Sequence, residues 1–204
     1  MQVTLIQSTP YPIETIARIA SICYDSTPKN LLKLVEHLYK SGHHSVFEHI
    51  YFTFSIEGIS RACSHQLVRH RMCSFTQRSQ RYCSEDGFQV VMPETIAKVD
   101  EKGGYLDLMD YIEAHYHELQ AQGVPNEDAR MVLPNACTTS LYLSCNLREL
   151  IHIANERLCS RAQWEIRELV QKMVSLVDPD LQFMLVPKCK SGRIICNSPC
   201  GKSK

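Results

Sequence analysis

Apolar residues return every three or four positions along much of this chain, which is the spacing of helices that bury one face. Helical segments are predicted from Pro12, from Asn30 to Gly42, over residues 59–68 and 105–121, from Asn126, from Asn146, and from Ala162 to Val177. Asn146 and Glu149 have the spacing of a capping box at the start of one such helix. Gly42 suits a helix C-terminus, since glycine tolerates the left-handed conformation there.

Strict alternation of apolar and polar residues marks the predicted strands. Ile50, Phe52, Phe54 and Ile56 share one face of residues 50–56, which indicates a half-buried strand. Further strands are predicted at residues 2–7, 88–92 and 137–144. No internal repeat is present. The pattern predicts an α+β fold, in which a small antiparallel-rich sheet is packed with long helices.

The chain has 204 residues, enough for one domain with a sizeable core, and 44% of them are hydrophobic. We predict a domain over residues 1–187, followed by a basic tail over 188–204 that contains Cys189, Cys196 and Cys200. We expect the tail to be at least partly extended from about residue 181. Ten cysteines are present, but none forms a C-x-x-C pair. Five of them fall inside apparent helices or strands: Cys23, Cys63, Cys137, Cys145 and Cys159. The sequence therefore argues against a disulfide scaffold.

No apolar run approaches the about 20 residues that cross a membrane. The N-terminal residues lack the basic region and cleavage site of a signal peptide. We therefore expect a cytoplasmic protein without membrane contact.

Positive charge is concentrated in one window. The chain has 22 basic and 22 acidic residues, yet no acidic residue lies between Glu57 and Glu85. That window contains five arginines: Arg61, Arg69, Arg71, Arg78 and Arg81. Guanidinium groups interleaved with hydroxyls and amides suit phosphate oxygens, which accept paired hydrogen bonds. From charge alone, a phosphate-binding site and a structural or nucleic-acid-binding strip stay equally open.

The order of residues in this window resembles a known family. Arg69-His70-Arg71, seven intervening residues and Ser79 are similar to the signature of the flavin-dependent thymidylate synthases. Four further segments resemble that family in order and spacing: residues 42–49, Gln66, residues 129–134, and Arg157 followed by residues 162–166. The resemblance covers about residues 40 to 170.

The resemblance implies an activity and an assembly. The reaction is the reductive methylation of dUMP to dTMP, in dTMP biosynthesis. Methylenetetrahydrofolate donates the carbon, and FAD reduced by NADPH donates the hydride. The implied assembly is a homotetramer whose active sites are shared between subunits, with no nucleic acid or membrane partner.

The same resemblance implies the residues of each site. For FAD these are His43, Ser45, Arg69, His70, Arg71, Gln77, Asn146, Leu147, Arg148 and His152. For the nucleotide they are Gln66, Leu67, Val68, Arg69, Gln77, Arg78, Ser79, Gln80, Arg81, Arg130 and Arg157. Arg157 is the implied catalytic residue, because a guanidinium at the uracil edge stabilises negative charge there. Gln77 and His152 depart from the commoner family residues, Glu and Asn.

Other chemistries have weaker support in the sequence. A nucleic-acid-binding protein would need stacking aromatics, and the basic window has only Phe75 and Tyr82. A metal site over residues 43–49 lacks the H-E-x-x-H order. The tail cysteines supply three zinc ligands where a structural site needs four, so we predict no metal. A Cys-His hydrolase has no nucleophile and base at a readable spacing.

Overall fold

A computed structural model describes residues 1–23, 28–192, 196–197 and 200. The strands are β1 (Gln2–Ser8), β2 (Tyr51–Ser60), β3 (Ser74–Gln77) and β4 (Thr138–Asn146). The helices are α1 (Pro12–Ser21), α2 (Leu31–Ser41), α3 (Arg61–Leu67), α4 (Glu94–Ala97), α5 (Gly104–Ala121), α6 (Asn126–Ala129), α7 (Leu147–Arg157) and α8 (Trp164–Ser175). Short 3₁₀ segments occupy His44–His49, Arg130–Val132, Pro179–Met184 and Lys188–Lys190.

The strands form one sheet in the order β1-β2-β4-β3. Backbone bonds such as Thr9 N to Tyr51 O and Arg61 N to Cys137 O show that neighbouring strands are antiparallel. The predicted inner face of β2 is confirmed, since Ile50, Phe54 and Ile56 are completely buried. The α+β prediction is therefore confirmed at the level of mixed helices and an antiparallel sheet.

The chain divides into two compact units. The first unit comprises Met1–Gln2, Ile56–Leu67 and Thr76–Leu141, and the second comprises Val3–Ser55, Val68–Phe75 and Tyr142–Lys204. In the second unit α1 packs on α2, and α7 packs on α8 and on the 3₁₀ segment His44–His49. In the first unit α5 packs on α6 and on the 3₁₀ segment Arg130–Val132.

The end of β4 shows how the chain starts a helix that later carries the site. Asn146 has extended backbone angles, and its Oδ1 accepts a hydrogen bond from Glu149 N at 2.9 Å. Such a cap satisfies a donor that the first turn of a helix cannot pair internally. The predicted cap is confirmed, and it fixes which residues the first turn of α7 presents.

One prediction of local structure was wrong, and the partly extended tail begins with a folded segment. Residues 88–92 make only an isolated bridge, between Val90 and Cys137, instead of a strand. Pro93 and Pro134 flank this pairing, and proline has no N–H with which to extend a ladder. The segment from residue 181 is not extended at its start: Leu181, Met184 and Leu185 are buried, and their burial holds the chain in the 3₁₀ segment Pro179–Met184.

Residues 193–195, 198–199 and 201–204 of the predicted tail lie outside the described residues. None of the described helices combines the length and apolar content that crossing a bilayer requires.

Candidate functional site

The second unit contains a cavity of about 610 Å³ beside the start of α7. Asn146, Arg148 and His152, three of the predicted cofactor residues, line this cavity. Residues four apart on a helix share a face, so Arg148 and His152 are presented together. Tyr39, His44, Glu48, Met72, Glu149 and Asn155 also line it. The cavity therefore offers one cationic group, several hydrogen-bonding groups and aromatic surface.

A chain of three polar side chains lies next to this cavity. Arg157 Nε lies 2.9 Å from His70 Nε2, and His70 Nδ1 lies 3.6 Å from Glu149 Oε1. Arginine only donates, so His70 Nε2 accepts and the ring proton resides on Nδ1, facing the carboxylate. The ring of His152 meets that of His70 edge-on at 5.6 Å. This arrangement ties the last residue of α7 to its first turn through the Arg-His-Arg segment.

Burial of these side chains also shifts the pKa values of His70 and Glu149. Burial, and then the positive charge of Arg157, lower the pKa of His70 to about 4. Burial also raises the pKa of the Glu149 carboxyl. His70 is consequently neutral at physiological pH, which is the state that lets its Nε2 accept from Arg157.

Acid should destabilise the protein through His70. The unfolded chain binds a proton near pH 6.5 and the folded chain only near pH 4, so stability is lost as pH falls through that window. The shift corresponds to about 3 kcal/mol. Denaturant titrations between pH 7 and pH 4 should therefore show a component that His70→Asn removes and that substitution of the exposed His115 leaves in place. Equal acid sensitivity in all three proteins would contradict the prediction.

His70, Glu149 and His152 also place three metal-ligand atoms within 4.8 Å of one another. Arg157 already donates to the other ring nitrogen of His70, and its positive charge opposes a dication at this point. We assign no metal to this cluster.

The remaining predicted cofactor residues of the second unit differ in exposure and in whether they line the cavity. Arg69 and Arg71 are exposed, and so are His43 and Ser45, which do not line the cavity. The adjacent His44 does line it: its ring stacks on Tyr39 at 5.5 Å. Leu147 is completely buried, and its backbone N donates to Ile50 O at 2.7 Å. Arg148 forms an ion pair with Glu48.

In the first unit, the end of the signature is held by acids that lie outside the basic window or at its edge. Arg78 Nε lies 3.4 Å from Glu85 Oε1, and its Nη2 donates to Ser84 O at 2.9 Å. Arg81 binds Glu127 through Nε and Nη2 at 2.9 and 2.7 Å. The local excess of positive charge that the sequence indicates is therefore partly neutralised, which disfavours a nucleic-acid-binding strip.

A second predicted nucleotide residue, Arg130, also contacts Glu127. Arg130 Nε donates to Glu127 O at 3.0 Å, so Arg81 and Arg130 meet at one residue. Ser79 Oγ accepts from Arg81 N at 3.3 Å. Glu127 is exposed, and nothing in the local sequence pairs it with Arg81, which is 46 positions away.

The amide side chains of the signature have structural partners within the first unit. Gln77 Nε2 donates to Ser64 Oγ at 3.0 Å and Thr139 Oγ1 at 3.2 Å. Gln80 is buried, with Nε2 3.8 Å from the sulfur of Cys137. Gln66 Nε2 donates to Ala62 O at 3.4 Å on α3, where Leu67 is completely buried. Val68, which belongs to the second unit, is half-buried.

Several side chains that line the cavity were not predicted from the sequence as site residues, among them Tyr39, Glu48 and Glu149. Tyr39 belongs to α2, Glu48 to a 3₁₀ segment, and Glu149 was interpreted only as part of a cap. The presence of His44 and Glu48 in a motif rich in histidine was the available signal. The sequence gave no signal for Glu149 as a site residue, because Glu149 and His70 lie 79 positions apart in the chain.

Comparison with known proteins gives a consistent result. A family model described as thymidylate synthase complementing protein matches residues 4–180. A flavin-dependent thymidylate synthase of Geobacter sulfurreducens is 43% identical over 190 residues, covering 87% of this chain and 82% of the relative. One from Clostridium tetani is 34% identical over 238 residues, covering 100% and 94%.

Similarity extends to a solved structure. Thymidylate synthase X of Helicobacter pylori, crystallised with FAD and dUMP, superposes with a TM-score of 0.76 at 21% identity. The match covers 91% of this chain and 97% of that one. At this identity the likeness establishes the fold.

Proposed function

Because this chain belongs to the flavin-dependent thymidylate synthase family, we propose that it converts dUMP to dTMP by reductive methylation. In this proposal methylenetetrahydrofolate supplies the carbon and NADPH supplies the reducing equivalents. The observation that carries the proposal is the Glu149–His70–Arg157 chain beside a cavity lined by Asn146, Arg148 and His152.

The cavity is suited to part of a flavin dinucleotide. Its Arg148 is a cation for phosphate oxygens, and Tyr39 with His44 offers aromatic surface. Asn146 and His152 add hydrogen-bonding groups at the same wall. When bound, FAD supplies the hydride chemistry, and the protein supplies binding, orientation and electrostatics.

Arg157 is the residue that we propose to act on the pyrimidine. A guanidinium at the uracil edge stabilises negative charge on N3 and the adjacent oxygens, which makes C5 more nucleophilic. His70 holds one nitrogen of that guanidinium at 2.9 Å, so its direction is set before substrate arrives. Arginine keeps its proton throughout, so its role is electrostatic rather than acid-base.

Arg81, Arg130 and Ser79 are the proposed nucleotide phosphate residues. Arg81 binds the Glu127 carboxylate and Arg130 donates to the Glu127 carbonyl oxygen, so both arginines lie at one residue. A phosphate dianion would replace the carboxylate as the partner of Arg81. The proposed nucleotide set is completed by Gln66, Leu67, Val68, Arg69, Gln77, Arg78 and Gln80. The proposed FAD set is completed by His43, Ser45, Arg69, His70, Arg71, Gln77 and Leu147.

Formation of dTMP tests the function directly. The purified chain is mixed with dUMP, methylenetetrahydrofolate, NADPH and FAD, and the product is measured by chromatography. We expect a yellow protein that forms dTMP only when dUMP, methylenetetrahydrofolate and NADPH are all present, and that needs added FAD only after its flavin has been removed. A protein that neither takes up FAD nor forms dTMP would overturn the proposal.

Glu149 should act as a positioning residue for Arg157. Glu149→Gln removes the negative charge that keeps the ring proton of His70 on Nδ1, and so weakens the acceptor for Arg157. We expect turnover to fall about tenfold. Turnover, dUMP affinity and FAD affinity are measured beside Glu118→Gln, an exposed carboxylate on α5. Both affinities should stay within about twofold of the parent values, and unchanged turnover in Glu149→Gln would contradict this role.

We further propose that the protein is a homotetramer with shared active sites, so that FAD binding is linked to assembly. Dilution should then release flavin as the assembly dissociates. Sedimentation followed at the flavin absorbance measures both at once. A monomer that keeps its flavin would contradict the linkage.

A further inference from the structure

Four of the ten cysteines line one small cavity of the second unit. Cys159, Cys189, Cys196 and Cys200 surround a space of about 240 Å³. The last three follow Pro187, and Cys159 lies in the turn between α7 and α8. Folding thus adds to the three tail cysteines a fourth, Cys159, which lies 30 positions before Cys189 in the sequence.

Four thiols are the ligand set of structural zinc sites, which are closed and tetrahedral. None of these four cysteines is joined in a disulfide. A zinc ion bound by four thiolates carries two excess negative charges. Arg157, Arg161 and Lys188 also line the cavity and supply compensating positive charge. We propose that these four cysteines bind one zinc ion.

The backbone around the cavity anchors two of the ligands. Cys159 O accepts a hydrogen bond from Ala162 N at 2.9 Å, which fixes the turn before α8. Cys189 belongs to the 3₁₀ segment Lys188–Lys190, which packs on α7. Lys188 reinforces this contact, since its Nζ lies 3.6 Å from Glu156 Oε1. Two ligands are thus held on a folded wall, and the other two arrive from the end of the chain.

Binding requires the sulfurs to come closer together. In the described residues no three of these four sulfurs lie within 4.8 Å of one another. Ligands at Zn–S distances of about 2.3 Å are about 3.8 Å apart in a tetrahedron. Zinc binding would therefore bring the sulfurs of Cys196 and Cys200 closer to those of Cys159 and Cys189.

Zinc stoichiometry tests the site independently of dTMP formation. The full chain is loaded with zinc under reducing conditions, passed over a chelating column, and measured by elemental analysis. We expect about one zinc per chain in the parent and in Cys23→Ser, which changes an exposed cysteine outside the cavity. We expect less than about a tenth of that in Cys159→Ser and Cys200→Ser.

Cobalt substitution identifies the ligands. Four thiolates give tetrahedral cobalt strong d–d bands at wavelengths beyond the flavin absorption, and Cys159→Ser should weaken and shift them. Circular dichroism checks that each variant is folded. Absence of zinc from the folded parent, full zinc in Cys159→Ser, or iron with sulfide in place of zinc would each overturn the proposal. Zinc binding without dTMP formation would leave this site standing and remove only the proposed function.

Discussion

Arg157→Ala should lower dTMP formation by about 100-fold or more while FAD stays bound. Methylene transfer needs an electron-rich uracil carbon, and the guanidinium is the group proposed to stabilise the charge that makes it so. The effect should appear in turnover, because the interaction strengthens as charge develops. Turnover, dUMP affinity and flavin content are measured together on the variant and its parent.

Two further variants sharpen this test. Arg157→Lys keeps the charge but loses the planar fork whose Nε donates to His70, so it should recover little of the rate. Arg18→Ala removes an exposed arginine of α1 and should behave like the parent. If Arg157 were only a surface residue, Arg157→Ala would lower the free energy of unfolding by less than about 1 kcal/mol and leave turnover near normal. That result would remove the main electrostatic element of the mechanism.

Arg148→Ala should weaken FAD binding by about 10- to 100-fold, enough to give a pale protein after gel filtration. A charge-assisted hydrogen bond to phosphate contributes about 1.5–3 kcal/mol, and Arg148 is an arginine of the cavity wall. Flavin titration measures the change. Lys40→Ala, which removes an exposed cation of α2, is the matched control.

The ion pair between Arg148 and Glu48 gives a second arm to this experiment. Glu48→Gln keeps the shape of the cavity wall and removes the carboxylate that competes with FAD for the guanidinium. This variant should bind FAD at least as tightly as the parent. Weaker binding in Glu48→Gln, or parent-like binding in Arg148→Ala, would show that the pair is structural and that the cofactor is held elsewhere.

Local pattern predicted most elements because helix and strand periodicities depend on neighbouring residues. The cap at Asn146 was correctly predicted, since its side chain accepts a hydrogen bond from the backbone N–H three positions on. The helix predicted to start at Asn30 is also confirmed. The strand predicted at residues 88–92 was wrong because the segment with which it pairs, near Cys137, lies beside Pro134. An alternating segment extends a sheet only where the neighbouring segment supplies backbone N–H donors for the ladder.

Charge at the signature was predicted less well. The sequence indicates an uncompensated basic window, but Glu127 reaches Arg81 from 46 positions away. Acids outside a window are invisible to a count made within it. The sequence correctly indicated a local excess of arginine. The negative charge beside Arg81 comes from Glu127 in α6, outside the window.

The sequence by itself determined the elements, their helical or extended character and the ordered motifs by which the family is recognised, because these depend on residue type and short-range spacing. Only the tertiary structure decided that the Glu149 side chain faces His70, that His70 accepts from Arg157, and that Cys159 lies with three tail cysteines. Each of these contacts joins residues 30 or more positions apart. Bringing such residues together requires closing long loops, which the burial of a common core makes favourable and which no local pattern encodes.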